Sequence, residues 1–283
     1  MNRLLTRYFL IFLALTAVAT VSCRNLVPTK NIVDINAPPF LEASKLTMAV
    51  VSDLHLSESA YEMKLASKVF ADIFNEQADL VLVLGDLISS PTDLTSPSAH
   101  RGSVLDLLKI LPRDRTAIVL GNYESWDDPE AWLTDLQAQG FYVLENEVRV
   151  FETDEGFVCV RGLGDRYTNR YATTPLPDRC DGLPTVTISH DPAAAFEDGV
   201  EGLIIAGHTH CGQVSIPFVG PLWAPTEAPR EAWCGLYQDE LRTLWVSSGV
   251  GTSILPIRLG APSQWDLLNV TLGPIEAIGK EFE

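Results

Sequence analysis

Five short segments of the chain carry residues able to hold metal ions: Asp53-Leu54-His55, Gly85-Asp86, Gly121-Asn122, Ser189-His190 and Gly207-His208-Thr209-His210. Four of the five histidines fall in them. Imidazole, carboxylate and amide oxygen together suit Mn, Fe or Zn better than Ca, which takes oxygen ligands. Asp53 and His55 stand two apart. In an extended chain, side chains two apart project to one face, so both can reach one centre. His208 and His210 repeat that spacing. Asp86 follows Gly85, which lets the backbone turn, and a carboxylate so placed suits bridging two cations. Singly, each has an ordinary alternative: Asp53 or Asp86 can cap a helix, Asn122 can serve a turn, and His190 can be a satisfied strand-end histidine. Their recurrence at five strand ends points to a binuclear centre.

The elements that must position these residues are legible around them. Each segment follows an apolar, largely β-branched run, and such runs read as buried strands. Strands are expected at Leu46–Ser52, Leu80–Leu84, Thr116–Leu120, Thr185–Ser189 and Leu203–Ala206. Apolar residues at helical spacing predict helices over Tyr61–Asn75, Val104–Leu111 and Pro129–Gln139, the second stopped by Pro112 and the third by Gly140. This alternation predicts a parallel α/β sheet whose strand ends share one polar edge. The second half is richer in strands, at Phe141–Phe151, Phe157–Leu163, Val214–Ile216, Leu241–Ser247 and Trp265–Leu272, with Pro192–Glu197 its clearest helical stretch.

Net charge is -17. An acidic surface repels phosphate backbones, so no nucleic-acid polymer is expected as a partner. A small phosphorylated substrate remains compatible, because bound cations invert the local field. At the N-terminus, Arg3 and Arg7 precede an apolar run from Tyr8 to Val21, followed by Ser22-Cys23. That is the layout of a secretory signal, and the run is short for a membrane span. Thr20-Val21-Ser22-Cys23 resembles a bacterial lipoprotein signal, with Thr20 departing from the usual Leu. Lipid anchor, uncleaved signal-anchor and simple secretion all stand open, and all send the chain to or across a membrane. Residues 1–23 are thus expected to be a targeting segment, 24–44 a linker, and 45–283 one domain. Cys159, Cys180, Cys211 and Cys234 lack CxxC spacing, which disfavours a structural zinc ribbon. Export would permit disulfides, whose pairing the sequence leaves open. Cys211, next to His210, reads as a soft ligand or, in preference, a small residue packed below the metals.

The order Asp-x-His, Gly-Asp, Gly-Asn, His, Gly-His-x-His resembles the calcineurin-like metallophosphoesterase family over roughly residues 46–272. The resemblance implies a four-layer αββα sandwich, two mixed sheets flanked by helices. It implies that Asp53, His55 and His210 hold one divalent metal, that Asn122, His190 and His208 hold a second, and that Asp86 bridges them. It further implies metal-dependent hydrolysis of phosphoester or phosphoanhydride bonds, with Asp86, Asn122 and Tyr123 beside the reacting group. In one position the chain departs: the family usually has His after Gly-Asn, and here it is Tyr123. With a reference pKa near 10, Tyr cannot stand in for an imidazolium. It can donate a hydrogen bond, or simply pack. A catalytically weak metal-binding module is therefore the alternative to an enzyme. The run Ser247–Arg258, with Gly207–Gln213, resembles a membrane-associated bacterial branch that includes UDP-2,3-diacylglucosamine pyrophosphatases, with Gln264 at a position usually acidic. This implies a phosphorylated or lipid-linked substrate and makes Arg258 either a substrate contact or a salt-bridge partner. Apolar residues around Phe218–Trp223 suit core or loop packing, or a lip facing acyl chains.

Overall fold

The structure is a computed structural model that describes residues 26–37, 44–216 and 218–272. Two six-stranded mixed sheets pack face to face. In the first lie β1 (Thr29–Ala37), β14 (Gln264–Leu272), β2 (Ser44–Val51), β3 (Leu80–Val83), β4 (Thr116–Ile118) and β5 (Tyr142–Val143), in that spatial order. β2 to β5 are parallel, while β14 runs antiparallel to β2 and parallel to β1. In the second lie β12 (Gly235–Gln238), β13 (Arg242–Val246), β9 (Gly202–Ala206), β8 (Thr185–Ile188), β7 (Gly156–Gly162) and β6 (Glu147–Thr153). Its four inner strands are parallel and its two edge strands antiparallel. A small hairpin pairs β10 (Ser215–Ile216) with β11 (Gly220–Pro221).

Strand alternation sorts the apolar residues into layers. Met48, Val50, Leu80 and Leu82 face Val160, Val186, Leu203 and Ile205 between the sheets. Ala49, Val51, Val81 and Val83 face the other way, against α1 (Ala60–Glu76), α2 (Pro97–Leu108) and α4 (Pro129–Ala138) through Val69, Phe70, Leu108 and Leu136. Because these strands are covered on both faces, they read as unbroken apolar runs. The outer face of the second sheet is covered differently. Ile204, Leu244 and Val246 pack on Ala194 and Ala195 of a 3-10 turn, Pro192–Phe196, and on Ala232. Small alanines let that turn sit close, so no long helix is needed there.

Two expectations are corrected. Residues 24–44 are not simply a linker, since Thr29–Ala37 forms the edge strand β1 and buries Ile35 and Ala37. Its fixed register with β14 extends the folded unit towards the N-terminus. The α2 helix begins at Pro97 rather than Val104, with Pro in the first turn, where its missing N–H costs nothing. The expected targeting segment 1–23 lies outside the described residues. Among the described residues no helix is long and apolar enough to cross a membrane.

Candidate metal centre

Parallel strands place their C-terminal ends at one edge, and the edges of the two sheets meet. Asp53 and His55 follow β2, Asp86 follows β3, His190 follows β8, and His208 and His210 follow β9. Asn122 opens the short helix α3 (Asn122–Asp127) after β4. Five of these seven residues, Asp53, His55, Asp86, His208 and His210, hold positive φ. Non-glycine residues adopt that conformation at a cost, and such strain concentrates at functional sites. Two glycines permit the close approach of the loops. A Cβ on Gly85 would collide with the backbone of Gly121, and one on Gly121 with the Asp86 carboxylate.

The donor atoms converge in two groups. Asp53, His55 and His210 form one and Asp86, His190 and His208 the other, the atoms of each within 4.8 Å of one another. Asp86 Oδ2 lies 3.5 Å from His55 Nε2 and 3.3 Å from His190 Nε2, so it faces both groups. Asn122 Oδ1 stands 3.1 Å from His190 Nε2. All seven side chains are buried. Asp86, Asn122, His208 and His210 line the floor of an open cleft of about 290 Å³.

The hydrogen-bond network shows how these residues suit cations. His190 Nδ1 donates to the Leu84 carbonyl (2.6 Å), and His208 Nε2 donates to the Pro225 carbonyl (2.7 Å). Such outer bonds aim the opposite nitrogens inward. His190 Nε2 and His208 Nδ1 then face each other at 3.0 Å. Two lone pairs cannot sit so close without a positive centre between them. Burial opposes protonation of His190, but Asp86, then Asp53 and Asp165, outweigh it and raise its pKa well above the ordinary value. A proton thus holds the position of a cation. His55 Nε2 and His210 Nε2 repeat the arrangement at 2.9 Å. There burial lowers both pKa values, that of His210 strongly, with Arg258 adding to the effect. Arg258 Nη2 donates to His210 Nδ1 (2.9 Å), which assigns the neutral ring's proton to Nε2. A cation held at Nε2 would leave the ring proton to Nδ1, where it would oppose the Arg258 N–H, so this pair would have to adjust. The donor set fits two divalent cations, with this one adjustment.

Further residues anchor the ligands, and Glu124 is the most informative of them. Its carboxylate accepts the backbone N–H groups of Gly121 (2.9 Å), Asp86 (2.8 Å) and Leu87 (2.8 Å). It thereby ties the loop carrying Asp86 to the one carrying Asn122. Burial, then the neighbouring Asp86, raises its pKa to about 7. Its position three residues past the glycine that caps α3 is a capping-box signal that the reading of the sequence missed. Asp86 is held low, at about 2: burial works against its charge, but His190 and then His55 prevail. Asp165 accepts from Thr168 and fixes the loop that sets Tyr167 beside His208, ring centroids 4.8 Å apart.

Three sequence expectations are settled by position. Tyr123 lines the cleft: its N–H donates to Asp86 Oδ1 (2.9 Å) and its hydroxyl meets Ser253 Oγ (2.9 Å). Arg258 is no substrate contact, being fully buried. It donates to the carbonyls of Gly251, Ser248 and Pro262 and to Ser248 Oγ, pinning the loop behind His210. Burial lowers its pKa to about 10, which leaves it charged at neutral pH. Cys211 is not a lone packing residue, because it is bonded to Cys234, as Cys159 is to Cys180.

Residues 46–212 match a family described as calcineurin-like phosphoesterase. Among curated proteins, the chain is 28% identical over 259 residues to a bovine "Transmembrane protein with metallophosphoesterase domain", covering 84% of this chain and 55% of that one. It is 29% identical to the uncharacterized metallophosphoesterase YkuE of Bacillus subtilis, covering 73% and 72% of the two. It is 27% identical to the phosphodiesterase YaeI of Escherichia coli, covering 83% of each. The chain thus spans little more than half the length of the bovine relative.

Proposed function

We propose a reaction for this chain, which belongs to the calcineurin-like phosphoesterase family and is a hydrolase: cleavage of a phosphodiester or diphosphate bond in a lipid- or nucleotide-linked substrate at a membrane. A UDP-2,3-diacylglucosamine-type diphosphate is one candidate. The observation that carries the reading is Asp86, whose Oδ2 faces both histidine groups at the floor of an open cleft. Two divalent cations held there would polarise the phosphoryl group, lower the pKa of water and offset charge on the phosphoryl oxygens. Asp53, His55 and His210 would hold one, and Asn122, His190 and His208 the other.

The chain's own residues do the rest. Asp86, fixed by the Tyr123 N–H and by Glu124 through its backbone, keeps the two groups in register. Tyr123 offers a phenolic proton to an oxygen of the substrate. Its half-buried ring has a pKa raised by burial, so it stays a donor at neutral pH. A phenol of that pKa gives up its proton less readily than an imidazolium. Leaving groups that are already stable anions, such as the phosphate of a diphosphate or an aryl oxide, need little protonation and are favoured.

An exported, membrane-associated setting goes with this reading. Two disulfides suit an oxidising compartment. The apolar run Tyr8–Val21 suits a lipid anchor or signal-anchor. The bovine relative's description as a transmembrane protein points the same way. The test is turnover of bis(p-nitrophenyl) phosphate with added Mn, with Asp86→Asn as the blank. Equal rates in chain and blank would overturn the proposal.

A further inference from the structure

Two stretches of the chain are free of Asp, Glu, Lys and Arg, Cys211–Thr226 and Thr243–Ile257. In a chain of net charge -17 that is uneven patterning. Both stretches reach the mouth of the metal cleft, where Trp223, Pro225, Ile254 and Leu255 form part of its wall. Their tips are left in solvent. Phe218 is 109% exposed, Ile254 84% and Trp223 60%, with Val219, Leu222 and Leu255 also exposed. Core or loop packing, one expectation for Phe218–Trp223, is thereby excluded for these side chains. A contiguous exposed apolar rim marks an interaction surface rather than ordinary exposure.

The chain itself indicates what covers the rim. The apolar run Tyr8–Val21 ends a few residues before Leu26, where the described fold begins. Leu26 lines a second cleft together with Thr252 and Pro256, in the same loop that carries Ile254 and Leu255. The five steps from Val21 to Leu26 span at most about 18 Å when extended. Insertion of Tyr8–Val21 into a bilayer would therefore bring this loop to the headgroups. The rim matches that environment in two ways. Its two stretches carry no charged side chain of their own, while exposed Arg230 donates to the Val219 and Pro221 carbonyls (3.1 and 2.9 Å) and brings a cation suited to headgroup phosphates. Trp223, with Trp126 on the neighbouring cleft wall, supplies aromatic rings suited to an interface with one apolar and one wet side.

We infer that the apolar rim of the metal cleft, Phe218–Trp223 with Ser253–Ile257, rests on a lipid bilayer, so that the substrate is a phosphodiester or diphosphate whose apolar portion stays in the membrane. This inference rests on the proposed hydrolytic reaction for its substrate class, while the contact with lipid stands independently of it.

The experiment uses the full chain reconstituted in phosphatidylcholine vesicles. Lipid brominated on its acyl chains quenches tryptophan emission at short range. It is expected to quench the full chain, and Trp223→Phe is expected to remove most of the quenching. Undiminished quenching in Trp223→Phe together with Trp126→Phe overturns the contact. The second arm compares bis(p-nitrophenyl) phosphate in solution with the p-nitrophenyl ester of phosphatidic acid in the vesicles, which release the same leaving group. A Phe218→Ser, Val219→Ser double variant, altered outside the cleft wall, should match the parent on the soluble ester and show an apparent KM raised about tenfold on the lipid ester. Equal behaviour on both esters overturns the membrane-resident substrate. If the parent cleaves neither ester, the proposed reaction fails, and the quenching arm still decides the contact.

Discussion

His190 Nε2 and His208 Nδ1 face each other at 3.0 Å, while the far nitrogen of each ring donates to a backbone carbonyl. The protein thus builds a position for positive charge before any metal arrives. Without metal a proton on His190 fills it, because Asp86, then Asp53 and Asp165, outweigh burial and push the His190 pKa well above its ordinary value. Metal and proton therefore compete. Mn binding followed by calorimetry should weaken as pH falls, and binding should release protons to buffer. Constant affinity between pH 6 and pH 8, with no proton release, would remove His190 from the site.

The same proton contributes to the stability of the metal-free protein. His190 has a folded pKa above its unfolded value near 6.5. Between the two values the folded state binds more protons, so stability falls as pH rises. The contribution is complete below about pH 6.5 and is lost through the raised folded pKa. In chelator, denaturant midpoints should be higher at pH 7 than at pH 9, a window above the range in which the lowered pKa values of His55 and His210 act with the opposite sign, and His190→Asn should flatten that slope.

Glu124 offers a sharper mutational test. Its carboxylate accepts N–H groups from both ligand loops. Glutamine would turn a donor towards those N–H groups and leave at least one unpaired. Glu124→Gln should cost about 2–4 kcal/mol by chemical denaturation and weaken metal binding, although Glu124 is not itself a ligand. A stable variant with ordinary metal affinity would show that the two loops hold without it.

Tyr123 separates leaving groups. Tyr123→Phe should slow hydrolysis of an alkyl phosphodiester more than that of an aryl one, because only the poorer leaving group needs the proton. Tyr123→His should narrow the gap between the two by about tenfold or more. Equal losses on both substrates in Tyr123→Phe would assign the residue to packing, through its edge contact with the His55 ring at 4.7 Å.

The disulfide Cys211–Cys234 ties the turn carrying His210 to the segment after Trp233, whose carbonyl also accepts from Thr209. A Cys211→Ser, Cys234→Ser pair should remain folded on its two sheets and lose about tenfold in metal affinity, in the range of changes that orient a ligand from outside. Unchanged affinity would make the bridge a matter of global stability alone.

These cases also mark what a single sequence discloses. Asp53, His55, His208 and His210 were legible by residue type and by their place just past apolar runs, but not in direction: all four hold positive φ, so strand alternation does not aim them, and His208 and His210 go to different groups. The unbroken apolar runs before them disclosed strands covered on two faces. The edge strand β1 was hidden among prolines and polar residues, because its pairing partner β14 lies more than two hundred positions away. Arg258 was legible as a charge, but not as one turned inward onto carbonyls. Nor could spacing join Cys211 to Cys234, since that pairing is set by how the His210 turn folds back.

The most direct test of the two-cation account is metal content measured alongside turnover. Elemental analysis of the purified chain should find two divalent ions per molecule, drawn from Mn, Fe and Zn, and Asp86→Asn should lose metal together with at least about a hundredfold of its activity on bis(p-nitrophenyl) phosphate. One ion per chain at full activity, or an Asp86→Asn variant that keeps both ions and its rate, would contradict it.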